Sequence, residues 1–270
     1  MALGPAGSQV SSASPVALFV IDQVGCTSAN PSCPSPTAQA LITNNGVHGT
    51  MGVSLAPSSG CAAPIYSPLL QLPGGETGFS VTFASGGSAA ITLGNVPPAA
   101  GGTAVPLEAS QYTGPANGVV SSSGGSGCSA GPASQQYPNQ SGAWDTTSAQ
   151  LCWKVGASGP VCGRTTFDSG SEDAGVAIGS FPGAAVTTVT NSSGATTQSY
   201  IAPGTPIAVS ASATATPMWT FDAGTTNGTN RVATSSPASF LLATAGGYFY
   251  EAGWVTYDAQ HGQLVVTPQA

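Results

Sequence analysis

The run Leu151-Cys-Trp-Lys-Val-Gly156 is followed, after a turn, by Phe167-Asp168-Ser169-Gly170-Ser171. An apolar and aromatic run bounded by glycine is typical of a β-strand, and the second motif places a carboxylate on a tight turn at a strand end. The small residues after Asp168 let backbone amides reach its carboxylate oxygens, and such donors favour the ionised form. The stretch therefore predicts an acid with a tuned pKa, with an ordinary Asx turn as the alternative interpretation.

Strand-like segments recur on both sides of this stretch, whereas helix signals are scarce. They are β-branched or aromatic, are bounded by Gly, Pro, Asn and Ser, and fall at residues 16–24, 78–83, 89–93, 149–155, 184–189, 207–211, 247–257 and 263–267. Many short strands at this spacing predict an all-β sandwich or barrel. Residues 113–141, with SSSGGSG at 121–127, predict a long loop or a boundary between two halves.

The charge composition excludes two classes of partner. Charged residues make up 5% of the 270 residues, and the formal net charge is −7. Three cations, Lys154, Arg164 and Arg231, cannot neutralise a run of phosphates, so neither nucleic acid nor an anionic membrane surface is expected as a partner. No apolar run reaches the roughly 18 residues that cross a bilayer.

Scarcity of Lys and Arg also suggests tolerance of acid. Carboxylates lose their charge at low pH while Lys and Arg keep theirs, so a chain with three cations avoids strong self-repulsion there. Compositional drift in an exported protein rich in Ala, Gly, Ser and Thr explains the same scarcity, and both interpretations stay open.

The six cysteines indicate disulfides and an oxidising compartment, hence a secreted, periplasmic or extracellular protein. They are Cys26, Cys33, Cys61, Cys128, Cys152 and Cys162. Local spacing favours the pairs Cys26–Cys33 and Cys152–Cys162 and leaves the partners of the other two open. A zinc site is disfavoured because there is no C-x-x-C and both histidines are distant in sequence, so no metal and no cofactor are expected.

The N-terminus lacks the basic start and long apolar stretch of a signal peptide. We therefore expect either that a signal was removed and Met1 added, or that the chain begins partway through a longer product.

Gly127-Cys-Ser-Ala-Gly131 matches a serine-nucleophile pattern but lacks the strand–turn–helix context that this pattern requires. Neither His48 nor His261 completes a Ser/His/Asp set, and His261 is expected in a glycine-ended hairpin turn.

Four segments, taken in order, resemble the pepsin-like aspartic peptidases and related bacterial secreted proteins. Asn45 to Pro57 resembles the segment that closes the active-site ψ-loop of the first lobe, and residues 67–97 resemble its continuation. Residues 151–171 resemble the hairpin and Asp-Thr/Ser-Gly motif of the second lobe. Residues 245–268 resemble the C-terminal end of the family, so the resemblance covers about residues 40–270.

The resemblance implies a pepsin-like acid-protease barrel in which residues 1–105 are the remainder of a first lobe and residues 106–270 a complete second lobe. It implies a polypeptide substrate and assigns catalytic roles to Asp168, Ser169 and Gly170. Ser169 would supply a hydroxyl that braces the active-site turns, and Gly170 would allow close backbone approach. The supporting positions would be Ser171, Gly52 and Gly246.

The implied mechanism needs a second carboxylate. In this family two carboxylates share one proton, one activates a water as general base, and the other protonates the oxyanion and the leaving nitrogen. The sequence before Gly49 contains no Asp-Thr-Gly and no flap tyrosine motif. Asp22 precedes Gln-Val-Gly, and Asp222 precedes Ala223, which has no hydroxyl; both are weaker candidates.

Three hypotheses therefore stay open. In the first, the chain is an aspartic endopeptidase or a fragment of one. In the second, it has the peptidase fold but is inactive, unless a homodimer shares the dyad between two copies. In the third, it is a non-enzymatic exported β-rich binding or structural domain, such as a viral spike or cell-surface module. The last hypothesis expects Asp168 on an exposed, ordinary turn with no second carboxylate within about 4 Å.

Overall fold

The fold was analysed in a computed structural model that describes residues 2–3, 7, 9–11, 53–55, 67–83, 89–94, 102–109, 144–190, 196–225, 230–235 and 241–268. Several sequence predictions lie outside these residues. They are the strand at 16–24, the loop at 113–141, the catalytic alternatives Asp22 and His48, the supporting Gly52, the 127–131 motif, and four cysteines, Cys26, Cys33, Cys61 and Cys128.

The described residues form eighteen strands and one short helix, with single 3-10 turns at Pro68–Gln71, Thr146–Ser148 and Ile178–Ser180. The elements are β1 (Ala2–Leu3), β2 (Val10–Ser11), β3 (Gly78–Phe83), β4 (Ala89–Leu93), β5 (Thr103–Pro106), β6 (Glu108–Ala109), β7 (Trp144–Asp145), β8 (Gln150–Val155), β9 (Val161–Phe167), β10 (Ala174–Ala177), β11 (Val186–Thr190), β12 (Thr196–Ile201), β13 (Pro206–Ser210), β14 (Trp219–Asp222), β15 (Val232–Ser235), β16 (Ala243–Ala245), α1 (Gly247–Glu251), β17 (Gly253–Asp258) and β18 (Gln263–Pro268).

A nine-stranded sheet in the order β11-β12-β15-β10-β16-β9-β8-β13-β14 dominates the fold and curls into a half-barrel. Most neighbours are antiparallel, but β10 runs parallel to β15 and β16 runs parallel to β9. The prediction of an all-β protein is confirmed. The two parallel pairs arise because β15 and β16 return from distant parts of the sequence rather than through tight hairpins.

A second sheet of five antiparallel strands, in the order β4-β3-β17-β18-β5, joins the C-terminal end of the described chain to residues 78–106. The predicted division at residues 105 and 106 therefore falls at the end of a strand whose partner, β18, lies at the far end of the chain. The division into two lobes stays a prediction. Two small sheets, β1-β2 and β6-β7, complete the described architecture.

The core is built around Phe249, whose ring contacts several aromatic rings of the nine-stranded sheet. The ring centroid of Phe249 lies 4.7 Å from that of Trp219 and 5.4 Å from that of Trp153. A second group sits on the five-stranded sheet, where Phe79 stacks on Tyr257 at 4.8 Å. Burying each such ring contributes on the order of 1.5–3 kcal/mol before packing effects are counted.

One strand prediction is partly wrong. Residues 247–257 were expected to form a single strand, but Gly247–Glu251 is a helix and the strand begins at Gly253. The chain must leave β16 in one sheet and enter β17 in the other, and one helical turn makes that crossing. It buries Phe249 against the nine-stranded sheet and Tyr250 against Phe83 of the five-stranded sheet, so tertiary packing overrides the strand preference of Tyr-Phe-Tyr.

The other predicted strands within the described residues are present, with ends shifted by at most two residues. Several strands escaped prediction, among them β10, β12, β15 and β16. Those strands are short and rich in Thr, Ala, Gly and Ser, so they carry little of the apolar signal on which strand prediction depends.

The predicted Cys152–Cys162 disulfide is confirmed. The two cysteines face each other directly across the β8–β9 hairpin, with Cα atoms 3.9 Å apart. The bond therefore ties together the hairpin that leads into Asp168. In the part of the chain that the structure describes, no helix is long and apolar enough to span a membrane.

Candidate functional site

Asp168 lies in the turn between β9 and β10, and β16 occupies the space between these two strands. Strand β16 pairs parallel to β9 and antiparallel to β10, which makes the arrangement a ψ-loop. The backbone N–H of Asp168 donates to the carbonyl of Ala245 at 2.9 Å, and the N–H of Gly247 donates to the carbonyl of Ser171 at 2.7 Å. Two long-range hydrogen bonds therefore hold the turn on the end of β16.

Gly246 lets β16 approach the turn this closely. A Cβ atom at Gly246 would overlap the backbone carbonyl of Asp173 and come within 2.9 Å of the amide of Ala174. Real side chains do not tolerate such contacts with backbone, so this position requires glycine. Glycine is therefore required at position 246 for steric reasons, and the supporting role of Gly246 at the site stays a prediction.

The Asp168 carboxylate is exposed and receives a backbone donor from its own turn. The N–H of Gly170 donates to Asp168 Oδ1 at 3.0 Å, as expected for a carboxylate followed by small residues. The hydroxyl of Ser171, one of the predicted supporting positions, donates to the carbonyl of Asp173 at 2.8 Å. Ser169 is half-buried in the same turn. The Asp168 carboxylate therefore has capacity for further hydrogen bonds.

A pair of buried tyrosines lies within the electrostatic field of Asp168. The hydroxyls of Tyr250, on α1, and Tyr257, on β17, are 2.6 Å apart. Burial raises the pKa of Tyr250 well above its usual value, and the neighbouring Tyr257 and the Asp168 charge act in the same direction. Burial also raises the pKa of Tyr257, with a further contribution from Asp168. Both hydroxyls are therefore neutral groups at ordinary pH.

Arg231, at the start of β15, places a cation beside the turn. Its Nε donates to Asp173 Oδ1 at 2.7 Å, a second nitrogen lies 3.6 Å from Glu172, and its guanidinium stands 5.2 Å from the centroid of the Tyr200 ring. Burial alone would lower the pKa of Arg231, but the hydrogen bond and charge of Asp173 raise it overall. The Asp173 carboxylate is thus held by a side-chain ion pair, whereas the Asp168 carboxylate accepts only from the backbone of its own turn among the described residues.

An open depression of about 400 Å³ begins at the Asp168 turn. Asp168, Ser171 and Asp173 line one end of it, and residues of β10, β12, β15 and β16 form the rest. Within the described ranges, no group of three or more His, Cys, Asp or Glu residues is arranged to hold a metal ion.

The weaker candidate Asp222 is not brought to this site. It ends β14 at the edge of the nine-stranded sheet, and β8 and β13 lie between β14 and β9. Its side chain is exposed, and its backbone carbonyl accepts a hydrogen bond from Asn230 at 2.6 Å.

His261 lies in the turn between β17 and β18, where the sequence predicted it. Its Nδ1 is 2.7 Å from Oδ2 of the buried Asp258, and its backbone N–H donates to Asp258 Oδ1 at 3.0 Å. Gln263 Nε2 also donates to Oδ2, at 2.9 Å. The Asp258 carboxylate is therefore saturated by its own hairpin.

Sequence reasoning missed the Tyr250–Tyr257 pair and the Arg231–Asp173 pair. The tyrosine pair depends on the helix α1, which the residue pattern did not indicate. The ion pair had one usable signal: with three cations and ten acidic residues in the sequence, an arginine is expected to lie beside a carboxylate. Arg164 does the same, 2.7 Å from Glu108 and 3.4 Å from Asp145.

Comparison with known proteins gives a distant likeness. No protein-family profile and no curated protein sequence matches the chain. Among solved structures, the aspartic proteinase from Irpex lacteus matches with a TM-score of 0.40 and 12% identity, over 90% of this chain. The chain spans 64% of the length of that proteinase.

Proposed function

We propose that this chain belongs to an acid-acting aspartic endopeptidase, in which Asp168 supplies one of the two catalytic carboxylates. The observation that carries the proposal is the Asp168 turn: an exposed carboxylate at a strand end, held on a ψ-loop by hydrogen bonds to Ala245 and Gly247. A rigid backbone that leaves a carboxylate open to water suits an acid or base catalyst, because geometry must be fixed while the reacting oxygen stays accessible.

In the proposed reaction a second carboxylate stands opposite Asp168 and the two share one proton. One carboxylate takes a proton from a water molecule, and that water attacks the peptide carbonyl carbon. The other carboxylate gives the shared proton to the carbonyl oxygen, which forms a tetrahedral diol. The first carboxylate then passes the proton it took from water to the leaving nitrogen while the diol returns a proton to the second carboxylate, so the peptide bond breaks into an acid and an amine and the shared proton is restored. Gly170 keeps Asp168 oriented through its N–H, and Ser169 is the hydroxyl nearest in sequence to the carboxylate.

The second carboxylate comes either from another part of the chain or from a second copy of it. In the first arrangement, residues 1–105 form the remainder of a first lobe and residues 106–270 the second lobe. In the second arrangement, a homodimer brings two Asp168 turns together. The Cys152–Cys162 disulfide supports export to an oxidising compartment in either case.

A non-enzymatic role is the second candidate, and one observation favours it. The Asp168 side chain is exposed, and among the described residues its carboxylate accepts a hydrogen bond from Gly170 but makes none with another carboxylate. Such a turn also suits an exported β-rich domain that binds a partner and catalyses nothing.

The test is cleavage of denatured haemoglobin from about pH 2 to about pH 7 by the wild type, by Asp168→Asn and by Asp222→Asn. Asp222 is the matched control, because it is another exposed aspartate at a strand end of the same sheet. We expect cleavage at acid pH, loss of at least about 100-fold in Asp168→Asn, and no change in Asp222→Asn. A pepstatin-type inhibitor should abolish the wild-type activity.

The same assay separates the arrangements. If two copies share the dyad, specific activity rises with protein concentration and falls when inactive Asp168→Asn is mixed in; if one chain is sufficient, neither dependence appears. Absence of cleavage at every pH, from a protein shown by circular dichroism to be folded and by thiol titration to be oxidised, would overturn the proposal in favour of the binding domain.

A further inference from the structure

The face of the nine-stranded sheet beside Asp168 carries a row of side chains in strict register. Tyr200 pairs with Ala233, Ala233 with Gly175, and Gly175 with Thr244. Thr244 in turn pairs with Thr166. Residues directly opposite in neighbouring strands project from the same face of a sheet, so these five positions form one line across five strands. The line ends two residues before Asp168.

The side chains in the middle of this row are small and those at its ends are larger, so the row forms a shallow groove, here called the trough. Gly175 and Ala233 form the floor, and a Cβ atom added at Gly175 would meet no heavy atom closer than 3.8 Å. Tyr200 stands at one end, and Asp168 and Asp173 stand at the edge where the strands end. Neighbouring residues of the same strands, such as Val176 and Val232, are buried on the opposite face. The trough is therefore a feature of the solvent side of the sheet.

The trough offers hydrogen-bond acceptors. Gln198 lies two residues before Tyr200 on β12, and its Nε2 donates to the carbonyls of Ser199 and Thr234, each at 3.2 Å. Its Oε1 is left to accept from a ligand. Asp173 Oδ1 accepts from Arg231, and the Asp173 side chain lines the trough. The Thr166 hydroxyl at the end of the row is buried and has no hydrogen-bond partner among the described residues.

The charge beside the trough is negative, so it favours the same kind of ligand group as these acceptors, a hydrogen-bond donor. Asp168, Glu172 and Asp173 carry three formal negative charges, and Arg231 carries one positive charge that the carboxylates and the Tyr200 ring already engage. The net formal charge is about two negative at neutral pH, where a hydrogen-bond donor with a positive charge is favoured over a neutral one.

We propose that the trough is a subsite that binds a basic side chain of a polypeptide, arginine or lysine, next to Asp168. The alkyl stem lies over Gly175 and Ala233, and the cationic group reaches the Asp173 carboxylate and the Gln198 carbonyl oxygen. The inference rests on the proposed function for its polypeptide substrate, and it names the class of residue that the site selects.

The test uses binding rather than cleavage, so that its failure can be told apart from failure of the proposed function. The ¹⁵N-labelled wild type is titrated near neutral pH with the peptide Ac-Ala-Ala-Arg-Ala-Ala-NH₂ and with the same peptide carrying citrulline, which has the shape of arginine without the charge. We expect saturable shifts of the Gly175, Ala233 and Thr244 amide signals and at least about ten-fold weaker binding of the citrulline peptide.

Two variants and a matched control locate the site. Gly175→Val fills the floor and should weaken binding of the arginine peptide at least about ten-fold, whereas Ala90→Val adds a similar bulk to an exposed strand elsewhere and should change nothing. Asp173→Asn should reduce the preference for arginine over citrulline.

Four outcomes would each overturn the proposal. They are equal binding of the two peptides, signal shifts confined to other residues, unaltered peptide binding by Gly175→Val, and no binding at millimolar peptide. Cleavage of haemoglobin without preference for basic residues would overturn this subsite and leave the peptidase proposal standing.

Discussion

Asp168 follows one strand of the molecule and Asp258 ends another, and their carboxylates have opposite surroundings. Asp258 is buried and accepts from the backbone and ring of His261 and from Gln263. Asp168 is exposed and accepts from Gly170 alone among the described residues. A carboxylate whose hydrogen bonds are all made within its own hairpin stabilises that hairpin, whereas one with free capacity is available to a substrate or to water.

The largest expected effect is a difference in stability between two matched variants. Asp258→Ala leaves Gln263 and the His261 backbone without their acceptor, and we expect it to lower the free energy of unfolding by about 2–4 kcal/mol. Asp168→Ala removes an exposed group with one local donor and should change it by no more than about 0.5 kcal/mol. Urea denaturation followed by tryptophan fluorescence measures both. Equal losses would show that Asp168 also has a structural role.

A second pair of variants compares glycines at the Asp168 turn. Gly246→Ala forces a methyl group into the Asp173 carbonyl, so we expect a loss of about 1–3 kcal/mol. Gly170→Ala places its methyl group 3.4 Å from Asp168 Oδ1, an ordinary contact, and should cost less than about 1 kcal/mol. The same denaturation experiment distinguishes them. A tolerated Gly246→Ala would mean that β16 can move away from the turn, against the ψ-loop described here.

The Asp168 turn could be predicted from the sequence because its elements are contiguous. Phe167 to Ser171 contain the strand end, the carboxylate and the small residues that allow the Gly170 hydrogen bond. The insertion of β16 could not be predicted, because Ala243–Ala245 is three small residues whose pairing with β9 depends on register across more than seventy positions of sequence.

The surroundings of Asp258 were missed for a different reason. A hairpin turn is predicted at Asp258-Ala-Gln-His-Gly262, and that turn is present. A turn signal does not say whether its carboxylate is buried, because burial depends on packing against distant residues. Here Trp144 covers the turn: its Nε1 donates to the carbonyl of Ala259 at 2.8 Å, from a position 115 residues earlier.

The buried Tyr250–Tyr257 pair gives a pH-dependent prediction. Because burial raises the pKa of Tyr250 and of Tyr257, the folded state keeps their protons at a pH where the unfolded chain begins to lose them. Their contribution to stability is therefore complete below about pH 10 and is lost as the pH rises above it, by at most about 1.4 kcal/mol per pH unit for each tyrosine.

Urea denaturation between about pH 7 and about pH 11.5 measures this dependence. Tyr257→Phe should be less stable than the wild type near neutral pH, since Tyr250 loses its partner, but its stability should fall less steeply above pH 10. Tyr200→Phe, which alters a half-buried ring outside the pair, is the control and should keep the wild-type slope. Identical slopes in all three proteins would contradict the neutral, buried pair.

The smallest expected effect is the loss of one donor from the saturated carboxylate. Gln263→Leu keeps the approximate size of the side chain but removes the hydrogen bond from Nε2 to Asp258 Oδ2, leaving the two bonds from His261 in place. We expect a loss of about 1 kcal/mol, the usual net contribution of one hydrogen bond, whereas Gln150→Leu on the exposed side of β8 should be neutral within about 0.5 kcal/mol. If Gln263→Leu cost as much as Asp258→Ala, the three donors would act as one cooperative unit. If it cost nothing, His261 alone would suffice to hold Asp258, and the contrast with the single donor of Asp168 would be smaller than the number of hydrogen bonds indicates.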